Sequence, residues 1–170
     1  MHLGTTITGV LLLAVCVLPL VIANKRGIKR VKAFLDKLHD LANRHKGKIN
    51  EHEVWNGTAI GIDKEAMKLF FIRTYGENLE EKVVNLAEVQ QVRVSNKSRT
   101  IKSSDGDIKM IERLDLVFSF IDKSKPEVMM EFYDNHRDNL TVDGEFQSVT
   151  RWHKVASEMV EDIRKSKRNF

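Results

Sequence analysis

Glu112-Arg-Leu-Asp-Leu-Val-Phe-Ser-Phe-Ile-Asp122 is the cleanest strand signal in this chain. Leu114, Leu116, Phe118 and Phe120 fall on one side of an extended backbone, and Arg113, Asp115 and Ser119 fall on the other. Upstream, Ser103-Ser-Asp-Gly-Asp107 is a strong turn signal. Downstream, Lys123-Ser-Lys-Pro126 breaks the chain, and Val128 to Asp134 resumes with Val128, Met130 and Phe132 inward. The same grammar extends towards the N-terminus. Val54 to Ile62 carries Thr58, Ile60 and Ile62 in alternation and reads as one strand. Asp63 to Ala66 reads as a turn, Met67 to Tyr75 as a strand, and Gly76-Glu77-Asn78 as another turn. Glu81 to Leu86 and Val89 to Asn96 follow, with Val92 and Val94 on one face. The pattern predicts six or seven short antiparallel strands.

Helical periodicity brackets these strands. Lys25 to about Lys46 places Ile28, Val31, Leu35, Leu38 and Leu41 at spacings of three and four, the mark of an amphipathic helix. Gly47 is its expected stop, and Arg44, His45 and Lys46 suit the negative end of the helix dipole. This face is free to lie on a membrane, pack on the body or pair with a second copy. At the other end, Asp143 can cap a helix whose stripe is Phe146, Val149, Trp152, Ala156, Met159 with Val160, and Ile163. So one-sided a helix must cover apolar surface, and the open end of a curved sheet would provide it.

The order of these elements resembles the pleckstrin-homology-like superfold, in which a bent antiparallel sheet is closed by a C-terminal helix. The resemblance is carried by the hairpin Gly61 to Ile72, the strand Leu114 to Ile121, the strand Val128 to Tyr133 and the helix of Trp152. It covers roughly residues 50 to 165 and is one of order and pattern rather than of a diagnostic motif. It implies an α+β fold: a six- to seven-stranded antiparallel roll closed by the last helix. The chain is also similar to small membrane-anchored bacterial proteins carrying such domains. Lipid-binding members hold phosphoinositides with several cations in the first hairpin loop. Here that loop is Asp63-Lys64-Glu65-Ala66, with two acids and one base, which argues against that ligand.

Residues Ile7 to Ala23 are an unbroken apolar run, and Asn24 to Lys32 then holds Lys25, Arg26, Lys29, Arg30 and Lys32 with no acid. A membrane-spanning helix needs roughly 17 to 25 apolar residues. The run therefore predicts an N-terminal transmembrane helix, with Pro19 tolerated as membrane helices tolerate it. A signal peptide cut after Ala23 is the competing reading. The charges favour the anchor, because the cations follow the run instead of preceding it. Lys and Arg beside a span stay on the cytoplasmic side, so residues 24 to 170 are expected there. The expected organisation is an anchor over 1–24, a basic juxtamembrane helix over 25–47 and the sheet domain over 48–170.

Charge is segregated along the chain. Residues 25–48 hold nine basic and two acidic residues, whereas 49–163 hold fifteen basic and twenty-two acidic. A nucleic-acid binder carries its positive charge on the folded body. This body is acidic, which argues against nucleic acid. The cluster Lys25, Arg26, Lys29, Arg30 and Lys32 is the candidate contact with anionic headgroups. The single cysteine, Cys16, lies in the apolar run, so the body has no disulfide.

No catalytic or cofactor constellation stands out. His39, His45 and His52 lack the three- or four-residue spacing of a helical zinc site. Asp105 and Asp107 around Gly106 mark a hairpin, not a calcium loop. No glycine-rich phosphate loop follows a strand, and Ser103 and Ser104 have no nucleophile-elbow context. Asn56-Gly-Thr58, Asn96-Lys-Ser98 and Asn139-Leu-Thr141 match the glycosylation sequon by composition alone. The reading that remains is a membrane-anchored interaction or scaffolding module, not an enzyme, with an unidentified protein partner. Lipid or apolar-ligand binding is the first alternative, and export after cleavage of a signal peptide is another. Candidate partner contacts are Val89, Val92 and Val94 on one strand, with the C-terminal helix beside them. Phe70 joins them, since adjacent Phe70 and Phe71 cannot both face one core; one faces outward or lies under a helix.

Overall fold

Leu69-Phe70-Phe71-Ile72 has no polar residue for either face of a strand, and all four side chains are fully buried. A strand of this kind needs cover on both sides, and the architecture supplies it. The computed structural model describes residues 28–103, 106–138, 142 and 144–168. A first helix, α1, spans residues 28–44. Seven strands follow: β1 (Glu51–Trp55), β2 (Thr58–Asp63), β3 (Lys68–Tyr75), β4 (Asn78–Asn85), β5 (Val89–Ser103), β6 (Gly106–Phe120) and β7 (Val128–Asp134). The last helix, α2, is Glu145–Arg168. The strands are antiparallel, in one four-stranded sheet of order β1-β2-β3-β4 and one three-stranded sheet of order β5-β6-β7.

Two cores result. The larger packs Ile60, Ile62, Leu69 and Phe71 of the first sheet against Leu114, Leu116, Phe118, Met130 and Phe132 of the second. Val149, Trp152, Ala156, Val160 and Ile163 of α2 close it. The smaller lies on the other face of the first sheet, where Leu38, Leu41 and Ala42 of α1 cover Ala59, Phe70 and Ile72. Glycine makes this second interface close. A Cβ at Gly61 would meet Ile49 Cγ2 at 3.0 Å and Leu38 Cδ2 at 3.1 Å. One at Gly47 would meet Phe70 Cζ at 2.7 Å.

Turn chemistry sets the registers. Asn56 and Gly57 both have positive φ and join β1 to β2 in a two-residue hairpin, with Trp55 opposite Thr58. The expected continuous strand from Val54 to Ile62 is therefore two strands, and the Asn-Gly pair is the signal that says so. At the β2–β3 turn, Asp63 accepts from the backbone N–H groups of Lys48, Glu65 and Ala66. Burial opposes its ionisation, but those donors and Lys68 outweigh it and hold the carboxyl below its usual range. The left-handed residue after α1 is Lys46, not the expected Gly47. Gly47 N–H bonds Ala42 O and Lys46 N–H bonds Asn43 O, the paired closure of a Schellman motif.

The expected fold needs correction in two respects. A transmembrane helix was expected at the N-terminus; no helix among the described residues is long and apolar enough to cross a membrane. The run Ile7 to Ala23 itself lies outside them, as do Lys25, Arg26, the Asp143 cap, Ser104 and Asp105 of the turn, and the Asn139 sequon. The strands also form two separate sheets of four and three, not one roll. The break falls at Leu86–Glu88, a single 3-10 turn capped by the Asn85 side chain, after which β5 pairs only with β6.

Helix α1 grips the sheet only from Phe34 onwards. Residues 28–33 are exposed all round, and Val31 is 45% accessible while Leu38 is 0%. Leu38→Ala is expected to lower unfolding free energy by about 2–5 kcal/mol, against a change within about 0.5 kcal/mol for Val31→Ala. Urea denaturation of the two variants checks this.

Candidate interaction surfaces

The second sheet has two open edges, β5 and β7. An edge strand presents unpaired backbone groups on which another strand can add. Along the first part of β5, α2 uses these groups itself. Arg164 donates to Gln90 O and Lys167 Nζ to Ala87 O at 3.3 Å, while His153 Nε2 lies 3.2 Å from Val92 O. Between strand and helix runs a groove of about 170 Å3 lined by Gln90, Gln91, Val92, Ser157, Val160, Glu161 and Arg164. That is below the roughly 300–1,000 Å3 of pockets that enclose a small molecule.

The sequence-derived contact residues take different places. Val89 and Val92 point into the core, at 1% and 8% exposure, and Val94 is half-buried against it. They contribute backbone to the β5 edge, not side chains. Phe70 is fully buried beneath α1, so the helix that could have left it exposed is what covers it. Of the basic cluster, Lys29, Arg30 and Lys32 are described, and all three are exposed on the first two turns of α1.

Beyond Val94 the β5 edge is open. β6 pairs with β7 only from Arg113 to Phe118, while β5 and β6 continue together from Lys97↔Arg113 to Ser103↔Gly106. This far part is a two-stranded ribbon. No residue from 95 to 113 whose side chain is described is buried.

A set of ionised side chains ties the two sheets together, and sequence reasoning did not find it. Arg73 of β3 is 2% exposed. It donates to Glu131 O at 2.9 Å and to Asp138 Oδ2 at 2.6 Å, and its Nε lies 3.4 Å from Glu131 Oε1. Arg113 and Arg137 also face the Glu131 carboxylate, at 3.2 and 3.6 Å, and Arg113 Nε donates to both oxygens of Asp115. The Arg73 and Arg137 guanidinium groups stand 4.7 and 4.5 Å from the Tyr75 ring centre. Burial raises the Glu131 carboxyl above its usual range; Arg73 and Arg137 pull the other way, and Asp134 and Asp138 add to the rise. These charges are consumed by one another, which is the chemistry of a clamp. Its partners lie 58 and 65 residues from Arg73 in sequence, so no local spacing reveals it.

Two histidines separated in sequence also meet. His39 of α1 and His52 of β1 have ring centres 6.4 Å apart. Among the described residues no group of three or more His, Cys, Asp or Glu side chains is placed to hold a metal ion.

No family model, curated protein or solved structure matches this chain. The pleckstrin-homology-like resemblance accordingly rests on element order alone.

Two outcomes follow from these contacts. Removing Arg73 leaves Glu131 and Asp138 without their buried cation, so Arg73→Met is expected to cost about 3–5 kcal/mol. Arg93→Ala, at the exposed pair with Glu127, should cost under about 1 kcal/mol; chemical denaturation distinguishes them. Replacing His153, Arg164 and Lys167 together by Ala uncovers the β5 edge. Light scattering should then show stronger concentration-dependent association than that of the unaltered chain.

Proposed function

We propose that this protein is a non-catalytic interaction module attached to a membrane, with its body on the cytoplasmic face. The observation that carries the reading is the free start of α1. Residues 28–33 stand clear of the sheet, with Ile28 62% and Val31 45% exposed beside the cations Lys29, Arg30 and Lys32. An exposed segment combining apolar side chains with cations suits the boundary between acyl chains and headgroups. In sequence it follows the apolar run Ile7 to Ala23 after four residues that include Lys25 and Arg26. Cations that follow such a run are retained on the cytoplasmic side.

The non-catalytic part of the reading is supported by the mutual pairing of the large buried charge cluster around Arg73 and Glu131. The groove between β5 and α2 is the surface offered to a protein partner, through the exposed side chains of Gln90, Gln91 and Glu161 rather than the β5 backbone that α2 already caps. It lies at the opposite end from the start of α1: Lys167 and Arg164 reach Ala87 and Gln90 there, while the start of α2 meets the β1–β2 hairpin through Asn56 and Glu145. Phe34 of α1 packs over the same hairpin at Gly57.

Flotation of the full chain with lipid vesicles tests the attachment. The protein is expected to rise with both neutral and anionic vesicles at high salt. Lys29→Glu with Arg30→Glu and Lys32→Glu should leave flotation intact and weaken the preference for anionic vesicles, at about 1 kcal/mol per cation. A full chain that stays at the bottom of the gradient would overturn the proposal.

A further inference from the structure

We infer that the β5–β6 ribbon is a second membrane contact, its cations meeting the anionic headgroups of the leaflet towards which the start of α1 points. The inference rests on the attachment proposed above and adds to it an orientation of the body.

The ribbon leaves the core at the end of the molecule where α1 begins. Its root, Arg113, is 3.2 Å from Glu131, and Glu131 is 3.4 Å from Arg73. Arg73 is paired across the sheet with Thr58, the neighbour of Gly57, over which Phe34 of α1 packs. A short chain of contacts thus joins the root of the ribbon to the last point at which α1 touches the sheet. Both elements then run free. The seven residues from Lys97 to Ser103 reach about 23 Å past the root. The turns of α1 before Phe34 reach about 9 Å past the hairpin.

The charge of the ribbon selects the occupant. Lys97, Arg99 and Lys102 of β5 and Lys109 of β6 are exposed. From Lys97 to Arg113 the sequence holds five cations against three acids, Asp105, Asp107 and Glu112, and Glu112 faces Lys97 at 3.8 Å and Arg99 at 3.4 Å. The body between residues 49 and 163 is acidic as a whole, so the cations stand out from their own surroundings. A second copy adding along β5 would bring a second set of Lys97, Arg99 and Lys102 close to the first, and like charges across a strand pair destabilise it. Lysine on an edge strand also discourages pairing. An anionic leaflet accepts the same three cations without that cost.

The test places a nitroxide at position 100 of the full chain, by Thr100→Cys in a Cys16→Ser background, which leaves no other thiol. A control label is placed at Lys64, in the β2–β3 turn at the far end. The probe is a vesicle of neutral lipid, with or without added anionic phospholipid. On anionic vesicles, position 100 should lose its accessibility to a water-soluble relaxing agent and position 64 should keep it. Neutral lipid, or Lys97→Glu with Lys102→Glu and Lys109→Glu on anionic lipid, should restore accessibility at 100 while the protein still floats. Floating protein with position 100 equally open on both lipids overturns the ribbon contact and leaves the attachment standing. Shielding on neutral lipid and in detergent alike shows pairing with a second copy and also overturns it. Protein that does not float overturns the attachment and the inference together.

Discussion

The double burial of β3 is the constraint on which the rest of this structure depends. Leu69 and Phe71 belong to the core shared with the second sheet and α2, while Phe70 and Ile72 belong to the core under α1. Left bare, either face would expose two large apolar side chains, each worth about 1.5–3 kcal/mol of burial. The first sheet therefore draws part of its stability from α1, which covers Phe70 and Ile72. The hold of α1 on the sheet is thus built into one strand.

The two sheets meet where apolar packing gives way to charge. Arg73 stands just beyond Ile72 on the same strand and reaches into the second sheet at Glu131 and at Asp138 beyond it. A buried ion pair brings little net stability compared with apolar side chains of the same size, but breaking it is costly. Its contribution is to fix which part of β7 faces β3. The three arginines round Glu131 make that alignment specific, and α2 completes it from the other side. Glu53 of β1 accepts from Ser148 and from the Trp152 indole, which fixes the helix along the open core.

Some of this was legible in the chain. The alternation of Leu114, Leu116 and Phe118 is the inner face of β6, and the stripe Val149, Trp152, Ala156, Val160 and Ile163 is the buried face of α2. Other positions misled for physical reasons. Asp115 alternates with those leucines as a solvent residue would, yet it is 4% exposed because Arg113 and the neighbouring strand cover it. Phe146 fits the α2 stripe by spacing and is 44% exposed, being in the first turn of the helix, beyond the reach of the core. Asn56-Gly57 was read as part of a sequon within a strand when it is the turn between two. As for the candidate surfaces, the cationic start of α1 could be read from composition. The capping of the β5 edge by His153, Arg164 and Lys167 could not, because it joins a helix to a strand more than sixty residues before it.

By itself, the sequence determined the kinds of element present, the faces most of them bury and the segregation of cations towards the ends of the chain. These follow from side-chain period and local turn chemistry, which act over a few residues. Tertiary structure alone decided that the strands divide four and three, that α1 lies over Phe70, and that Arg73 clamps β3 to β7. It also decided that the β5–β6 ribbon emerges at the end where α1 begins. Each of those depends on contacts between residues far apart in the chain, and their free energy is gained only when both sides are already in place.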